Sequence, residues 1–302
     1  MTIVLWASAF VAIRAAADDF SPGPLTLGRI AVGVVALAIL QSLMRLRRRE
    51  TRSSTPQNDA NRAPTAKVFL GVVVWGVAWF GAYNLALNAA ERHIDAGTAA
   101  LLVNIAPMIT AVLAGLLLGE GFPRRLIVGM LVALLGVVVV AVATSTGRVD
   151  AIGIVLGLAA AVIYASATIL QKRLLRYVTV PTMTIVGCIA ATLACLPFAP
   201  ELIREFQAAP SSSILAVVYL GIFPTAVAFS TWGYVLSRMS AGRTAATTYA
   251  VPAVVLVLSW IVLRETPPPL ALLGGAVALA GVAFGLRSYR SASGRPPEAR
   301  SS

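Results

Sequence analysis

The chain has 302 residues, of which 58% are hydrophobic and only 12% are charged. Because a soluble domain is about a quarter charged, these residues cannot cover a water-exposed surface, and the composition excludes an ordinary soluble protein. The formal net charge of +12 does not favour nucleic-acid binding, since the basic residues lie in short segments between apolar runs.

Ten apolar runs follow one another along the chain, most of them near the roughly 20 residues that a membrane-spanning helix needs. They cover about residues 2–17, 22–44, 67–90, 97–118, 123–143, 151–175, 180–197, 213–237, 244–263 and 268–286. A basic, polar linker at 45–66 is predicted to be cytoplasmic, and a tail at 287–302 is predicted to be disordered and cytoplasmic. We therefore predict an all-α polytopic membrane protein with ten transmembrane helices.

One stretch of the chain occurs twice. Residues 96–140 align without a gap with residues 241–285, at an offset of 145 residues. Five landmark pairs then coincide: Gly97 and Gly242, Pro107 and Pro252, Glu120 and Glu265, Gly129 and Gly274, and Gly136 and Gly281. Composition alone does not set spacing, so the match indicates a duplication. Two large similar halves in a membrane chain are typical of transporters, with the site between the halves.

The two halves, 1–143 and 151–286, each contain five predicted helices. Because five is odd, the second half enters the membrane from the opposite side, and we predict two inverted five-helix repeats related by a pseudo-twofold axis in the membrane plane. With the 45–66 linker in the cytoplasm, 18 of the 24 Lys and Arg residues fall on that side and 5 on the other. The positive-inside rule therefore predicts cytoplasmic N- and C-termini.

Several motifs are similar to those of a known family. They are W-A-S-A-F-V-A-I-R at residues 6–14, Pro24 followed by Arg29, and the pattern A-G…P…E…G…G in both halves. By these motifs the chain resembles the ten-helix EamA-like branch of the drug/metabolite transporter superfamily. The resemblance implies a secondary transporter of the bacterial inner membrane that exports small metabolites, usually amino acids or related compounds. We predict alternating access, no cofactor and no metal site.

Pro107 and Pro252 fall in the middle of their predicted spans. A proline inside a helix removes a backbone hydrogen bond and clashes with the preceding turn, and in lipid the freed carbonyl needs another partner. We predict that the two prolines are hinges that face protein or a water-filled cavity. A static packing kink is the alternative.

Aromatic and amide side chains are the candidates for contact with a small-molecule substrate. Trp75, Trp79 and Tyr83 lie four residues apart on one helical face, and Asn84 follows them. Hydroxyl and amide groups can bind the ends of a zwitterion, and aromatic faces can pack on its side chain or attract its ammonium. Packing against lipid or in the protein core is the alternative for this stripe.

A second set of candidates lies near the predicted centre between the halves. Asn104 precedes Pro107 by three residues, and Tyr249 precedes Pro252 by three residues. The remaining cavity candidates are Ser8, Tyr164, Ser166, Gln171 and Trp232.

Arg29 is the one basic residue well inside a predicted span. Such residues are costly in a bilayer and are usually partnered. Arg29 is therefore a candidate for binding a substrate carboxylate, with a structural tie to helix or loop carbonyls as the alternative. Glu120 and Glu265 end their spans beside basic loop residues and are predicted to be interfacial ties.

All twelve acidic residues lie in loops, tails or span ends, and the only histidine, His93, lies in an outer loop. Because a proton-driven antiporter keeps a titratable group in the membrane, the sequence favours exchange or downhill export without proton coupling. Nothing indicates an enzyme or an ATP-binding G-x-x-x-x-G-K-[ST] loop. An exchanger of drugs, nucleotide sugars or organic phosphates and a non-transporting membrane protein are the alternatives.

Overall fold

The computed structural model describes residues 1–51, 65–94, 96–145, 147, 150–263 and 266–287. This part of the chain is helical and has no strand. The helices are α1 Thr2–Ala16, α2 Pro22–Thr51, α3 Ala66–Gly76, α4 Tyr83–His93, α5 Ala96–Val103, α6 Ala106–Leu117, α7 Arg124–Thr144, α8 Ala151–Leu174, α9 Val180–Ala194, α10 Ala199–Ala208, α11 Ser211–Leu220, α12 Ala228–Arg238, α13 Ala241–Ala246, α14 Val251–Leu263 and α15 Pro269–Arg287.

Several of these helices continue one another through short irregular turns. A π turn at Val77–Ala82 joins α3 to α4, and a second π turn at Gly221–Val227 joins α11 to α12. A 3-10 turn at Thr247–Ala250 joins α13 to α14, and another at Leu196–Phe198 joins α9 to α10. Irregular backbone at membrane depth is tolerated where it is buried in protein or lines a cavity.

Eight helical segments in the described residues are long and apolar enough to cross a membrane. The pair Val180–Ala194 and Leu196–Ala208 is bent by 53° and would make a ninth segment, and Thr2–Ile13 is a shorter apolar helix. The chain is therefore a multi-span membrane protein. The sequence prediction of ten spans adds the bent pair and the short first helix to these eight segments.

The end of the second predicted span differs from the structure. Helix α2 continues to Thr51, into the predicted linker at 45–66, because residues 45–51 are good helix formers such as Arg, Leu and Glu. The rest of that linker, 52–64, and the predicted tail after Arg287 lie outside the described residues.

The predicted proline kinks are breaks between two helices. Pro107 lies in the first turn of α6, and Pro252 is the second residue of α14. A missing N–H costs little there, because first-turn N–H groups have no partner within the helix. The backbone is irregular just before each proline, at 104–105 and at Thr247–Ala250. The Asn104 side-chain amide donates to the carbonyl of Ala100 at 2.7 Å, and this carbonyl also accepts the Asn104 backbone N–H at 3.0 Å.

Two glycine-lined helices, α7 and α15, are packed closely together. Helices α7 and α15 approach so closely that a Cβ added at Gly136 would lie 2.5 Å from the carbonyl oxygen of Gly274. A Cβ at Gly281 would lie 2.6 Å from the carbonyl oxygen of Gly129. Small residues permit such backbone contact in membranes, where close packing drives helix association.

Candidate functional site

A cavity of about 800 Å³, including its open part, lies beside the aromatic core. Both halves of the chain contribute to its wall. The lining residues are Trp6, Ala9, Phe10, Ile13, Arg29, Trp79, Tyr83, Asn84, Leu87, Val103, Asn104, Pro107, Tyr164, Phe229, Thr248 and Val251. Four of them come from α1 at spacings of three and four residues, which places them on one helical face.

Arg29 carries the formal charge among these lining residues. Its side chain is 6% exposed and lies on α2. The Arg29 Nη1 donates to Asn84 Oδ1 at 3.2 Å, and Nε and Nη2 approach Thr225 Oγ1 at 3.4 Å. Both acceptors are neutral, and no carboxylate pairs with Arg29 in the part of the chain that the structure describes. The guanidinium is therefore held by polar, uncharged side chains from both halves.

Hydroxyl and phenol groups make up much of the remaining polar surface of the cavity. The Tyr164 hydroxyl lies near Thr248, yet it has no hydrogen bond of acceptable geometry within the described ranges. Tyr83 stacks edge-on to Tyr164, with ring centroids 6.0 Å apart. A buried hydroxyl without a partner is unfavourable, so the Tyr164 hydroxyl is a polar group of the cavity wall whose hydrogen-bonding capacity is unused among the described residues.

Aromatic rings form the apolar wall. The centroid of Trp6 lies 5.0 Å from that of Trp232 and 5.3 Å from that of Phe229. Trp79 lies 5.0 Å from Tyr164 and 5.8 Å from Phe229. These tilted and edge-on contacts are favourable for aromatic pairs. The cavity therefore combines one cation and a few neutral polar groups with a large apolar surface.

The structure brings seven of the sequence candidates together around this cavity. They are Arg29, Trp79, Tyr83, Asn84, Asn104, Pro107 and Tyr164. Part of this grouping was predictable, because Tyr83 and Asn84 are neighbours at the start of α4. Asn84 contacts Arg29. Their role in binding stays a prediction.

Other candidates lie away from the cavity wall. Ser8 bonds to the Tyr219 hydroxyl at 2.7 Å, and Ser166 is exposed. Trp75 is fully buried against Gly187 of α9, where an added Cβ would meet its ring at 2.5 Å. The predicted stripe is therefore divided: Trp75 packs in the core, whereas Trp79 and Tyr83 line the cavity. The π turn that contains Trp79 changes the helical periodicity between the two parts.

Four further candidates are core residues. Gln171 accepts a hydrogen bond from the Trp232 indole at 3.1 Å, and both side chains are buried. Tyr249 is fully buried and packs against α7 and α15 near Met130 and Ala133. Pro252 is buried and is not among the lining residues.

The sequence-based prediction did not include several residues of the site. Trp6, Phe229 and Thr248 line the cavity, and Thr225 binds the guanidinium from behind. Pro224 gave a usable signal for Thr225, because a proline within a span marks irregular backbone. For Trp6 and Phe229 no signal separated a cavity wall from ordinary core packing.

Comparison with known proteins agrees with this architecture. The model of the EamA-like transporter family matches residues 1–142 and 151–287. A protein of Streptantibioticus cattleyicolor named "Probable terminal-alkyne amino-acid exporter" is 38% identical over 282 residues, 93% of this chain and 90% of the relative. An uncharacterized transporter of Bacillus subtilis is 32% identical over 287 residues, 94% of this chain and 88% of the relative.

More distant relatives extend the comparison. A protein of Salmonella typhimurium named "Probable amino-acid metabolite efflux pump" is 27% identical over 226 residues, 70% of this chain and 76% of the relative. A solved crystal structure superposes with a TM-score of 0.75 at 21% identity, covering 96% of this chain and 95% of the other. That likeness shows the fold alone. Because the family model matches nearly the whole chain, this multi-span membrane protein belongs to the EamA-like transporter family, whose members are transporters and not enzymes.

Proposed function

We propose that this transporter exports small amphipathic carboxylates, chiefly amino acids with apolar side chains, across the bacterial inner membrane. The observation that carries the proposal is Arg29, a buried guanidinium that lines the cavity and whose hydrogen-bond acceptors among the described residues are neutral. The names of the relatives from Streptantibioticus cattleyicolor and Salmonella typhimurium, both amino-acid or amino-acid-metabolite exporters, support the same substrate class.

A buried cation without a counter-ion is unfavourable, because burial removes its hydration. A substrate carboxylate entering the cavity would supply the missing charge, and arginine binds carboxylates through two parallel hydrogen bonds. The rings of Trp6, Trp79 and Phe229 would then cover an apolar side chain. The cavity thus suits a molecule with one anionic end and one apolar end.

The two halves are proposed to be inverted repeats. Gly129 contacts Gly281, and Gly136 contacts Gly274. At the offset of 145 residues, Gly129 corresponds to Gly274 and Gly136 corresponds to Gly281, so each contact is the counterpart of the other. A twofold axis between α7 and α15 produces this pattern. The same offset superposes the π turn Val77–Ala82 on residues 222–227 of the second π turn. Reciprocal contacts and shared irregularities support this arrangement of ten spans.

Alternating access between the halves follows from this proposal. The cavity wall draws on both halves, so relative movement of the halves would change which side it faces. Among its described lining residues there is neither a carboxylate nor a histidine, which favours exchange or downhill export over proton coupling. The excess of basic residues in the 45–66 linker favours cytoplasmic termini.

A phosphate exchanger is the less favoured candidate. A nucleotide sugar or organic phosphate carries two or more negative charges, and such ligands are usually bound by several basic residues. Arg29 is the basic residue among those that line the cavity. One cation matches one carboxylate better than it matches a phosphate dianion.

The test is counterflow in proteoliposomes with L-norleucine as substrate and with L-norleucine or its amide as competitor. The amide keeps the shape and removes the carboxylate. We expect the amide to compete about 10- to 100-fold less well, as the loss of a hydrogen bond to a charged group implies. In Arg29→Gln this preference should disappear.

Arg173→Gln is the matched control, because Arg173 is an exposed arginine that donates to the Leu117 carbonyl outside the cavity. It should keep the preference for the carboxylate. Equal competition by the amide in the wild type, or an unchanged preference in Arg29→Gln, would contradict the proposed role of Arg29.

A further inference from the structure

The two π turns lie on either side of Arg29. One of them, Val77–Ala82, precedes Asn84 by two residues, and the other, Gly221–Val227, contains Thr225. A π turn changes the pairing of the backbone carbonyls around it, and such turns are frequent at functional sites. Thr225 within the second turn and Asn84 just after the first each bond to a local carbonyl and also contact Arg29.

The hydrogen-bond donors of these two side chains are used by the backbone. The Thr225 hydroxyl donates to the carbonyl of Leu220, five residues earlier, at 2.8 Å. The Asn84 amide nitrogen donates to the carbonyl of Phe80 at 2.9 Å and approaches that of Trp79 at 3.4 Å. Each donor bond fixes its side chain, so the oxygens of Thr225 and Asn84 are left to accept from Arg29.

Close packing also holds Thr225 against α2. A Cβ added at Gly33, one turn after Arg29, would lie 2.9 Å from Cγ2 of Thr225. A Cβ at Gly221 would lie 2.7 Å from the carbonyl oxygen of Arg29 itself. The second π turn is therefore seated directly on the helix that carries the guanidinium.

The contacts with Asn84 and Thr225 use only some of the N–H groups of Arg29. A guanidinium has five N–H groups. Thr225 takes one on Nε and one on Nη2, and Asn84 takes one on Nη1. One N–H is left on each terminal nitrogen, and an N–H from each of the two terminal nitrogens can bind both oxygens of a single carboxylate.

We infer that Asn84 and Thr225 are positioning residues, which orient Arg29 so that its two remaining terminal N–H groups bind a substrate carboxylate in a bidentate manner. This inference rests on the proposed function of Arg29 and assigns its orientation to the two π turns. It makes selectivity for a carboxylate over an amide depend on two side chains that do not carry charge.

The first test is the amide-to-carboxylate ratio of inhibition constants in the norleucine counterflow assay. Thr225→Val keeps the shape and removes the oxygen, and we expect it to lower this ratio about 3- to 10-fold, the effect of losing one ordinary hydrogen bond, because the substrate still meets the charge of Arg29. Thr225→Ser restores the oxygen and should restore the ratio. Thr184→Val is the matched control, since the buried Thr184 hydroxyl bonds only to the Val180 carbonyl.

The second test is Asn84→Asp, which places a carboxylate of the same shape beside Arg29. Its charge should compete with the substrate, so the inhibition constant for norleucine should rise more than that for the amide. Asn88→Asp is the matched control, because Asn88 lies one turn later on α4 and bonds to Thr26 instead of Arg29. Its effect on the ratio should be several-fold smaller.

The outcomes separate this inference from the proposed function. If Arg29→Gln abolishes the preference while Thr225→Val and Asn84→Asp both keep the wild-type ratio, the positioning role is wrong and the anchor role stands. If Arg29→Gln keeps the preference, the anchor role itself is wrong. A change in total transport with an unchanged ratio also overturns the positioning role, because a merely structural defect affects both competitors alike.

Discussion

The carboxylate of Glu120 accepts the backbone N–H of Ala241 at 2.6 Å, and its second oxygen accepts that of Gly242 at 3.1 Å. This bond joins the end of α6 in the first half to the start of α13 in the second half. In the repeated pattern A-G…E, the glutamate of one copy thus binds the A-G pair of the other copy. Glu265, the counterpart of Glu120, lies outside the described residues.

Lys172 stabilises the other end of the same turn. Its ammonium donates to the carbonyls of Leu236 and Met239, at 2.6 and 2.7 Å, at the end of α12. An anion at a helix start and a cation at a helix end are both favourable, because the partial charges of the helix ends are opposite. The turn between α12 and α13 is therefore held from both sides.

Replacing Glu120 should weaken this link between the halves. We expect Glu120→Ala to lower the free energy of unfolding by about 1–2 kcal/mol, as the loss of a helix cap does, and Glu120→Gln to have a smaller effect because it keeps one acceptor oxygen. Thermal unfolding of the purified protein in detergent measures this. Glu201→Ala, at an exposed position of α10, is the control, and an equal effect there would contradict the capping role.

Gly136 should not tolerate a larger side chain. In Gly136→Ala the new Cβ would lie 2.5 Å from the Gly274 carbonyl oxygen, and forcing the helices apart costs about 1–3 kcal/mol. Gly81→Ala is the matched change, because the nearest atom to its Cβ is the sulfur of Cys195 at 3.8 Å. Melting temperatures should fall for Gly136→Ala and stay near the wild-type value for Gly81→Ala.

Tyr164→Phe should separate stability from binding. Its buried hydroxyl has no partner among the described residues, so removing the hydroxyl should leave the melting temperature unchanged or raise it. If a substrate uses this hydroxyl in the cavity, the half-saturation concentration for norleucine should rise about 3- to 10-fold, as expected for one hydrogen bond.

Tyr249→Phe is the matched control for that experiment. The Tyr249 hydroxyl is likewise buried without a partner in the described part of the chain, but the residue packs between α7 and α15 outside the cavity. Its removal should likewise leave the melting temperature unchanged or raise it, but the half-saturation concentration for norleucine should stay near the wild-type value. A larger transport defect in Tyr249→Phe than in Tyr164→Phe would favour the sequence-based assignment of Tyr249 to the substrate site.

The link between His93 and Asp150 should make stability depend on acid pH. His93 Nδ1 lies 2.7 Å from Asp150 Oδ2, and Ile152 donates its backbone N–H to Asp150. The hydrogen bond with His93, followed by that with Ile152, holds the pKa of the Asp150 carboxyl below its usual range. A lowered carboxyl pKa adds stability above the unfolded value of about 4, and this contribution disappears as the pH falls through the folded pKa.

The corresponding measurement compares melting temperatures of the wild type and Asp150→Asn between pH 7 and pH 3. The wild type should melt higher at neutral pH, and the difference should shrink at the acid end. Asp18→Asn, at an exposed position, measures the general effect of removing one negative charge. A difference that is constant with pH, or that grows towards pH 3, would contradict the predicted role of Asp150.

Much of the site could be predicted from particular residues. Arg29 was identifiable as the one basic residue inside an apolar span, and Asn84 and Asn104 as amides where a bilayer favours apolar groups. These arguments need only the cost of polar groups in lipid. Tyr249 and Trp232 satisfied the same criteria of residue type and depth, yet both lie in the core, because depth does not determine which face of a helix meets the cavity.

The sequence by itself determined the helical class and most of the helix positions, because a bilayer requires long apolar segments with internally paired backbone. It also predicts a two-copy organisation, because repeated spacing is readable without coordinates. Only the tertiary structure decided how Arg29 is held. Its acceptors Asn84 and Thr225 lie 55 and 196 residues away along the chain. Helix packing and the two π turns bring these residues to Arg29. Neither the packing nor the turns can be predicted from the spacing of apolar residues within one segment.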